Sequence, residues 1–162
     1  MDAHSQPAPG SEAAALLDGQ IRDALGLKSE DLSIGLEVAR NLLQRGATAD
    51  ALRVYAGLIL CEPTNPVFQT GLANCALAAE EFHLALQAAS AVIALAPQDP
   101  RGYLVSGRAC IGLGALAEAS EDLRDAVALG RAARNAAVVE EAGRLLEALP
   151  DPARAPALAP AG

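Results

Sequence analysis

Aromatic residues are scarce in this sequence: among 162 residues there are two tyrosines, two phenylalanines and no tryptophan. Alanine is abundant instead, with 38 residues in a chain that is 52% hydrophobic. Alanine favours helix and lets helices approach closely, but each side chain buries little area. The composition therefore predicts a closely packed helical domain of modest stability, with some apolar surface left for a partner.

Positive charge is missing from the middle of the chain, where no lysine or arginine occurs between Arg53 and Arg101. The whole chain carries 20 acidic and 12 basic residues, a net charge of -8. Without a basic stripe there is no surface for phosphates, so we expect no nucleic-acid partner. The acidic balance is interpreted as keeping an apolar protein in solution. The adjacent pairs Glu80–Glu81 and Glu140–Glu141 are interpreted as solvated faces.

Metal-ligating and catalytic patterns are absent as well. The cysteines Cys61, Cys75 and Cys110 form no C-x-x-C pair, and only two histidines, His4 and His83, could join them. The cysteines are interpreted as small buried hydrophobic residues in a reduced compartment. No phosphate loop or catalytic triad occurs, so we expect a protein that is not an enzyme and needs no metal or cofactor.

Long apolar runs are also lacking, and no stretch approaches the roughly 18 apolar residues of a membrane span. The first ten residues have neither the cationic start nor the apolar run of a secretory signal. We therefore expect a cytosolic protein with no membrane insertion.

A 34-residue period organises what is present. The pair Asn65-Pro66 recurs as Asp99-Pro100, and the alanines Ala51, Ala85 and Ala119 keep the same step. This period is typical of stacked helical hairpins, which form grooves for other proteins. The predicted fold is all-α, with repeats at 32–65, 66–99 and 100–133.

Local chemistry agrees with the period. Asn65 and Asp99 are predicted N-caps, each followed by a proline at the first helical position, where a missing N–H costs nothing. Turns between the two helices of a hairpin are centred on Gly46, Glu80 and Gly114. The two glycines suit a left-handed C-cap, whereas glutamate does not, so the Glu80 turn is expected to adopt a different geometry.

Small residues recur where the helices of a hairpin would cross. In the first helix of each hairpin, one position holds Ala39, Ala73 and Gly107. In the second helix of each hairpin, one position holds Ala51, Ala85 and Ala119. The larger residues predicted to fill the core between them are Val38, Leu42, Tyr55, Leu72, Leu86, Val92, Ile93, Leu123 and Val127.

The flanks divide the chain further. We predict a disordered N-terminus over 1–10, an amphipathic helix over 11–29, three repeats with a capping helix over 30–149, and a disordered tail over 150–162. The apolar face of the N-terminal helix, with Leu17, Ile21 and Leu25, needs either the first repeat or a second copy of the chain to cover it. We expect self-association through this helix, as a homodimer.

The repeats resemble the tetratricopeptide repeat. In the first repeat the family's preferred residues read Ala39 at the eighth position, Ala51 at the twentieth, Tyr55 at the twenty-fourth and Pro63 at the thirty-second. The later repeats keep the small residues but replace the aromatic one.

A narrower resemblance is to the class II chaperones of bacterial type III secretion, carried by residues 55–75 and 99–123. It implies a protein that binds hydrophobic translocator proteins and keeps them soluble and secretion-competent. Those chaperones usually carry several aromatic residues in the groove, and this chain has only four in total. The alternative is a generic tetratricopeptide adaptor or assembly factor. A clamp for a C-terminal carboxylate is excluded, because only Arg101 fits its pattern.

The resemblance also implies which residues bind. First helices line the concave face of such repeats, and the ninth position reads Arg40, Asn74 and Arg108. Long donors in one column, with apolar pockets beside them, suit an extended segment of proline and leucine. The predicted peptide-binding residues are Leu36, Arg40, Leu43, Thr70, Asn74, Leu77, Arg101, Leu104, Arg108 and Ile111.

Overall fold

A computed structural model of the chain describes residues 19–150, and these contain helices and turns but no strand. The helices are α1 (Gln20–Ala24), α2 (Ser29–Gln44), α3 (Thr48–Cys61), α4 (Pro66–Ala78), α5 (Phe82–Leu95), α6 (Pro100–Leu113), α7 (Leu116–Ala132) and α8 (Ala136–Ala148). The predicted all-α hairpin repeat is confirmed. The N-terminus 1–10, the first part of the predicted N-terminal helix and the tail from 151 lie outside the described residues. None of the helices from 19 to 150 is long and apolar enough to cross a membrane.

The predicted N-caps begin two of the first helices. The side chain of Asn65 accepts a hydrogen bond from the Val67 amide at the start of α4, and Asp99 accepts one from the Arg101 amide at the start of α6. A proline follows each cap, as predicted. These caps fix where each hairpin starts, which keeps the repeats in register.

The turns between the two helices of each hairpin share one geometry, and the prediction for Glu80 is wrong. Glu80 has φ of 59°, in the left-handed region with Gly46 at 77° and Gly114 at 75°. The amide of Glu81 donates to the Ala76 carbonyl at 2.9 Å, as the amide of Ala115 does to that of Cys110. The hydrogen bonds that close the helix impose this geometry on glutamate at a steric cost.

Glycine at position 80 should therefore stabilise the protein. Glu80→Gly removes the left-handed strain but adds chain entropy to the unfolded state, for a net gain of about 0.5–1 kcal/mol. We expect the melting temperature to rise by about 1–4 °C in calorimetry. Glu81→Gly is the matched control, since Glu81 has φ of -83° and no strain to relieve. An equal rise in both variants would contradict the assignment.

The small residues of the period lie at the helix crossings, as predicted. Ala39, Ala73, Ala51, Ala85 and Ala119 all have 0% exposure. At the equivalent Gly107 an added Cβ would lie 2.7 Å from Leu123 Cγ. The helices are therefore as close as their backbones permit, which explains why alanine and glycine occupy this layer.

Val38 is not a core residue, contrary to the prediction. It is 46% exposed, and Ile34 one turn earlier is 64% exposed. The equivalent residues Leu72 and Ser106 are half-buried or buried, because a preceding hairpin covers them. The first hairpin has no such neighbour among the described residues, so an apolar end of the repeat stack is left uncovered.

The last helix, α8, packs on α6 and α7. Val138 and Ala142 join Leu104, Leu123 and Ala126 in one buried cluster. This helix therefore covers the C-terminal end of the stack. The three cysteines are buried and unpaired, as predicted. Burial raises the pKa of Cys75 to about 11, which keeps it a thiol at neutral pH.

Candidate peptide-binding groove

The first helices form the inner side of the stack. Helix α2 contacts α4, α4 contacts α6 and α6 contacts α8, whereas no comparable contact joins the second helices α3, α5 and α7 in the described part of the chain. A stack whose first helices approach each other curves toward them. The concave surface is therefore made by α2, α4, α6 and the edge of α8.

Apolar side chains form a row near the C-terminal ends of these helices. Leu43, Leu77 and Ile111 are each half-buried and lie in the last turn of α2, α4 and α6. Leu36, two turns earlier on α2, is also half-buried. Half-buried apolar residues at one edge can pack against a bound segment while remaining anchored in the core.

Two predicted binding residues are less accessible. Leu104 is 7% exposed and belongs to the cluster that holds α8. Thr70 is 8% exposed, and its hydroxyl donates to the Pro66 carbonyl at 2.7 Å. These two side chains lie beneath the groove surface and expose little area to a ligand.

The three residues at the ninth position, Arg40, Asn74 and Arg108, each have a bonding partner within the chain. Arg40 pairs with Glu37 at 2.8 Å, and Arg108 pairs with Glu141 of α8 at 3.3 Å. Asn74 between them donates to the Thr70 carbonyl at 3.0 Å. Both arginines are about half exposed, so each keeps donors that face solvent.

Arg101 is directed toward its own helix cap. Its guanidinium donates to both carboxylate oxygens of Asp99, and this bond lowers the pKa of Asp99. The pair completes the N-terminus of α6. Arg101 therefore differs from Arg40 and Arg108, which project from the middle of their helices.

Glu141 was missed by the sequence interpretation, which placed it on a solvated face. It lies 33 residues after Arg108 (141 − 108), close to one repeat, which puts the two at neighbouring positions on adjacent first helices. The capping helix therefore behaves as the first helix of a further repeat. Together with Glu37, Glu141 balances the positive charge of the arginine column.

A cavity of about 280 Å³ opens at the other end of the concave surface, between α2 and α4. Ser33, Leu36, Phe68 and Glu62 are among its lining residues. Glu62 also accepts a bond from Arg22 of α1 at 2.9 Å, so α1 is fixed beside this cavity.

The residues predicted for self-association lie around α1. Ile21 is 38% exposed and Leu25 is 65% exposed, while Leu17 lies outside the described residues. The helix is held to the end of α3 by a bond from the Gly19 amide to the Cys61 carbonyl at 3.1 Å. The apolar side chains of Ile21 and Leu25 are therefore presented to solvent.

No family model matches the chain. Among curated proteins, cellulose synthase operon protein C of Pseudomonas fluorescens (strain SBW25) is 35% identical over 120 residues. The match covers 74% of this chain but only 9% of that protein's length.

Solved structures match over more of their own length. The type III secretion translocator chaperone SycD of Yersinia enterocolitica aligns with a TM-score of 0.73 and 25% identity, over 79% of this chain and 96% of SycD. SycD is also known in an alternative dimer and with a peptide of the translocator YopD. PcrH of Pseudomonas aeruginosa, in complex with the chaperone binding region of PopD, aligns with a TM-score of 0.73 and 26% identity. The alignment covers 76% of this chain and 94% of PcrH. The resemblance is confirmed: this chain has the tetratricopeptide-type fold of the type III secretion translocator chaperones.

Proposed function

We propose that this chain is a cytosolic type III secretion chaperone that binds an extended segment of hydrophobic translocator proteins in its concave groove. The observation that carries the proposal is the combination of that groove with its structural neighbours. Two of those neighbours hold a translocator segment, from PopD in the case of PcrH and from YopD in the case of SycD. Binding would keep the translocators soluble and secretion-competent.

The chemistry of the groove favours an uncharged, extended client segment. Because Arg40 and Arg108 already have carboxylate partners, the column offers directed N–H donors with little net charge. Such donors suit backbone carbonyls, which an extended segment exposes along its length. The apolar row of Leu43, Leu77 and Ile111 would take the client's apolar side chains.

A homodimer formed through the N-terminal helix is part of this proposal. Ile21 is exposed on α1 and Leu25 at its C-cap, and Ile34 and Val38 leave the first hairpin uncovered. Exposed apolar residues at one end of a repeat stack favour covering by another surface. SycD is known as a dimer, which supports self-association of this chain.

The second candidate function is a generic tetratricopeptide adaptor or assembly factor. It is favoured by the match to cellulose synthase operon protein C, whose name places it outside type III secretion. Neighbouring genes for two large proteins with apolar segments would favour the chaperone over this alternative.

The proposal is tested by replacing a groove residue and measuring peptide binding. The probe is the chaperone binding region of PopD, labelled for fluorescence anisotropy. Leu77→Asp should weaken binding about tenfold, since it removes an apolar contact and places a carboxylate in the groove. Leu60→Asp is the matched control, because Leu60 is 61% exposed on the second helix α3.

Circular dichroism checks that both variants keep their helicity. Equal binding of Leu77→Asp and the unmodified chain would remove the groove assignment. Equal loss in both variants would show that the added charge, and not the loss of a groove contact, weakens binding.

A further inference from the structure

Residues 151–162 have the composition of the segment that the groove is proposed to bind. They read DPARAPALAPAG, with Pro152, Pro156 and Pro160 spaced around Leu158. Proline-rich segments populate an extended helix without internal hydrogen bonds, so binding orders them at low entropic cost. The tail thus offers free carbonyls and an apolar anchor on the same chain as the groove.

The point at which the described chain ends favours docking in cis. Helix α8 ends at Ala148, and the half-buried Leu149 packs on the same cluster as Ile111. Because first helices run parallel in such a stack, the C-terminal ends of α2, α4, α6 and α8 lie at one edge. The tail therefore begins near Ile111, at one end of the row that continues to Leu77 and Leu43.

The tail is long enough to follow that row. Neighbouring helix axes lie about 8–10 Å apart, so three steps from α8 to α2 span about 27 Å. Twelve residues at about 3.1 Å each in the extended helix reach about 37 Å.

Charge also favours the tail. Neither α4 nor α6 has a basic residue in its last turn or at its C-cap, so the partial negative charge of these two helix ends is unbalanced, whereas Arg45 is the C-cap of α2. The tail contains Arg154, whose positive charge would be stabilised near these helix ends. The N-terminal segment 1–18 has three acidic residues and no arginine or lysine, and it enters at the opposite edge, beside Cys61.

We propose that residues 152–160 occupy the chain's own groove along the row of Leu43, Leu77 and Ile111, and that a client displaces them. This rests on the same groove chemistry as the proposed function. The tethered tail has an effective concentration in the millimolar range, so even weak affinity gives partial occupancy. Occupancy would shield the apolar row until a client arrives, and would lower the apparent client affinity by the occupied fraction.

The first test uses the full chain and needs no client. Methyl spectra of isotope-labelled protein are compared between the unmodified chain and Leu158→Asp. We expect shifts at the methyl groups of Leu43, Leu77 and Ile111, unchanged on dilution. Ala161→Asp adds the same charge outside the docked residues and should leave these signals in place. Absence of the shifts overturns the proposal, and shifts that vanish on dilution overturn it in favour of docking in a second copy.

The second test titrates both proteins with the chaperone binding region of PopD. Leu158→Asp should bind about three- to tenfold more tightly than the unmodified chain, because the competitor is removed. Equal affinities without methyl shifts would end the tail proposal and leave the proposed function intact. Methyl shifts without binding of this probe would support the tail and count against the proposed client.

Discussion

Gly71→Ala should destabilise this protein strongly, because the added methyl group would collide with a buried aromatic ring. An ideal Cβ at Gly71 would lie 2.0 Å from Cε1 of Tyr55 and 2.3 Å from its Cζ. The Tyr55 ring is 3% exposed and fills the space between the first two hairpins, so it has no open space into which to move. We expect a loss of about 3 kcal/mol from overpacking and a melting temperature lower by about 6–12 °C.

Gly143→Ala is the matched control, since no atom lies within 4 Å of a Cβ added there. It sits inside α8, where alanine is favoured over glycine by up to about 1 kcal/mol. The same substitution is thus expected to have opposite signs at the two sites. Adding Tyr55→Leu to Gly71→Ala should recover part of the loss, because leucine is shorter and can repack. A similar small change at positions 71 and 143 would show that Tyr55 does not cross α4 at this glycine.

The parts of the fold that follow from local rules were predictable from the sequence. Asn65 and Asp99 cap helices because any polar acceptor before a proline at the first helical position can do so. Ala85 and Ala119 are buried because a fixed period places them at every crossing. Each of these predictions depends on one residue and its immediate neighbours, or on the period itself.

Two predictions were wrong because the surroundings of a residue outweigh what its type or its place in the period indicates. Glu80 adopts a left-handed φ because the helix-closing hydrogen bonds outweigh its local preference. Val38 is exposed because no hairpin precedes the first one in the described chain, which the repeat pattern does not reveal. The period also gives no indication of the bond that Asp122 accepts from Ser106 at 2.6 Å, because the equivalent positions hold Val54 and Ala88; burial raises the pKa of Asp122.

The groove, too, was predictable from the sequence in part. Its register followed from the period, which places Arg40, Asn74 and Arg108 at equivalent positions on three first helices. The ion-pair partners of the two arginines did not, because the pairs with Glu37 and Glu141 appear only once side chains are placed. Glu141 comes from a helix outside the three repeats. The neutral character of the proposed site is therefore a property of the folded stack.

The double substitution of Arg40 and Arg108 by glutamate should abolish most client binding. Each guanidinium is proposed to donate to a backbone carbonyl of the client, and a charged hydrogen bond contributes about 1.5–3 kcal/mol. Losing two such bonds lowers affinity for the chaperone binding region of PopD by about a hundredfold or more. The fold should be retained, since both arginines form exposed pairs that contribute little to stability.

The control separates a loss of donors from a change in net charge. Arg53→Glu with Arg124→Glu makes the same change in net charge with exposed residues of the second helices α3 and α7. Affinity near that of the unmodified chain is expected for this pair, measured by calorimetric titration at two salt concentrations. If both double variants lost affinity equally and salt restored it, the arginine column would act only through long-range charge. A loss confined to the groove pair and insensitive to salt identifies Arg40 and Arg108 as direct donors, because short hydrogen bonds in a partly buried site are screened far less than distant charges.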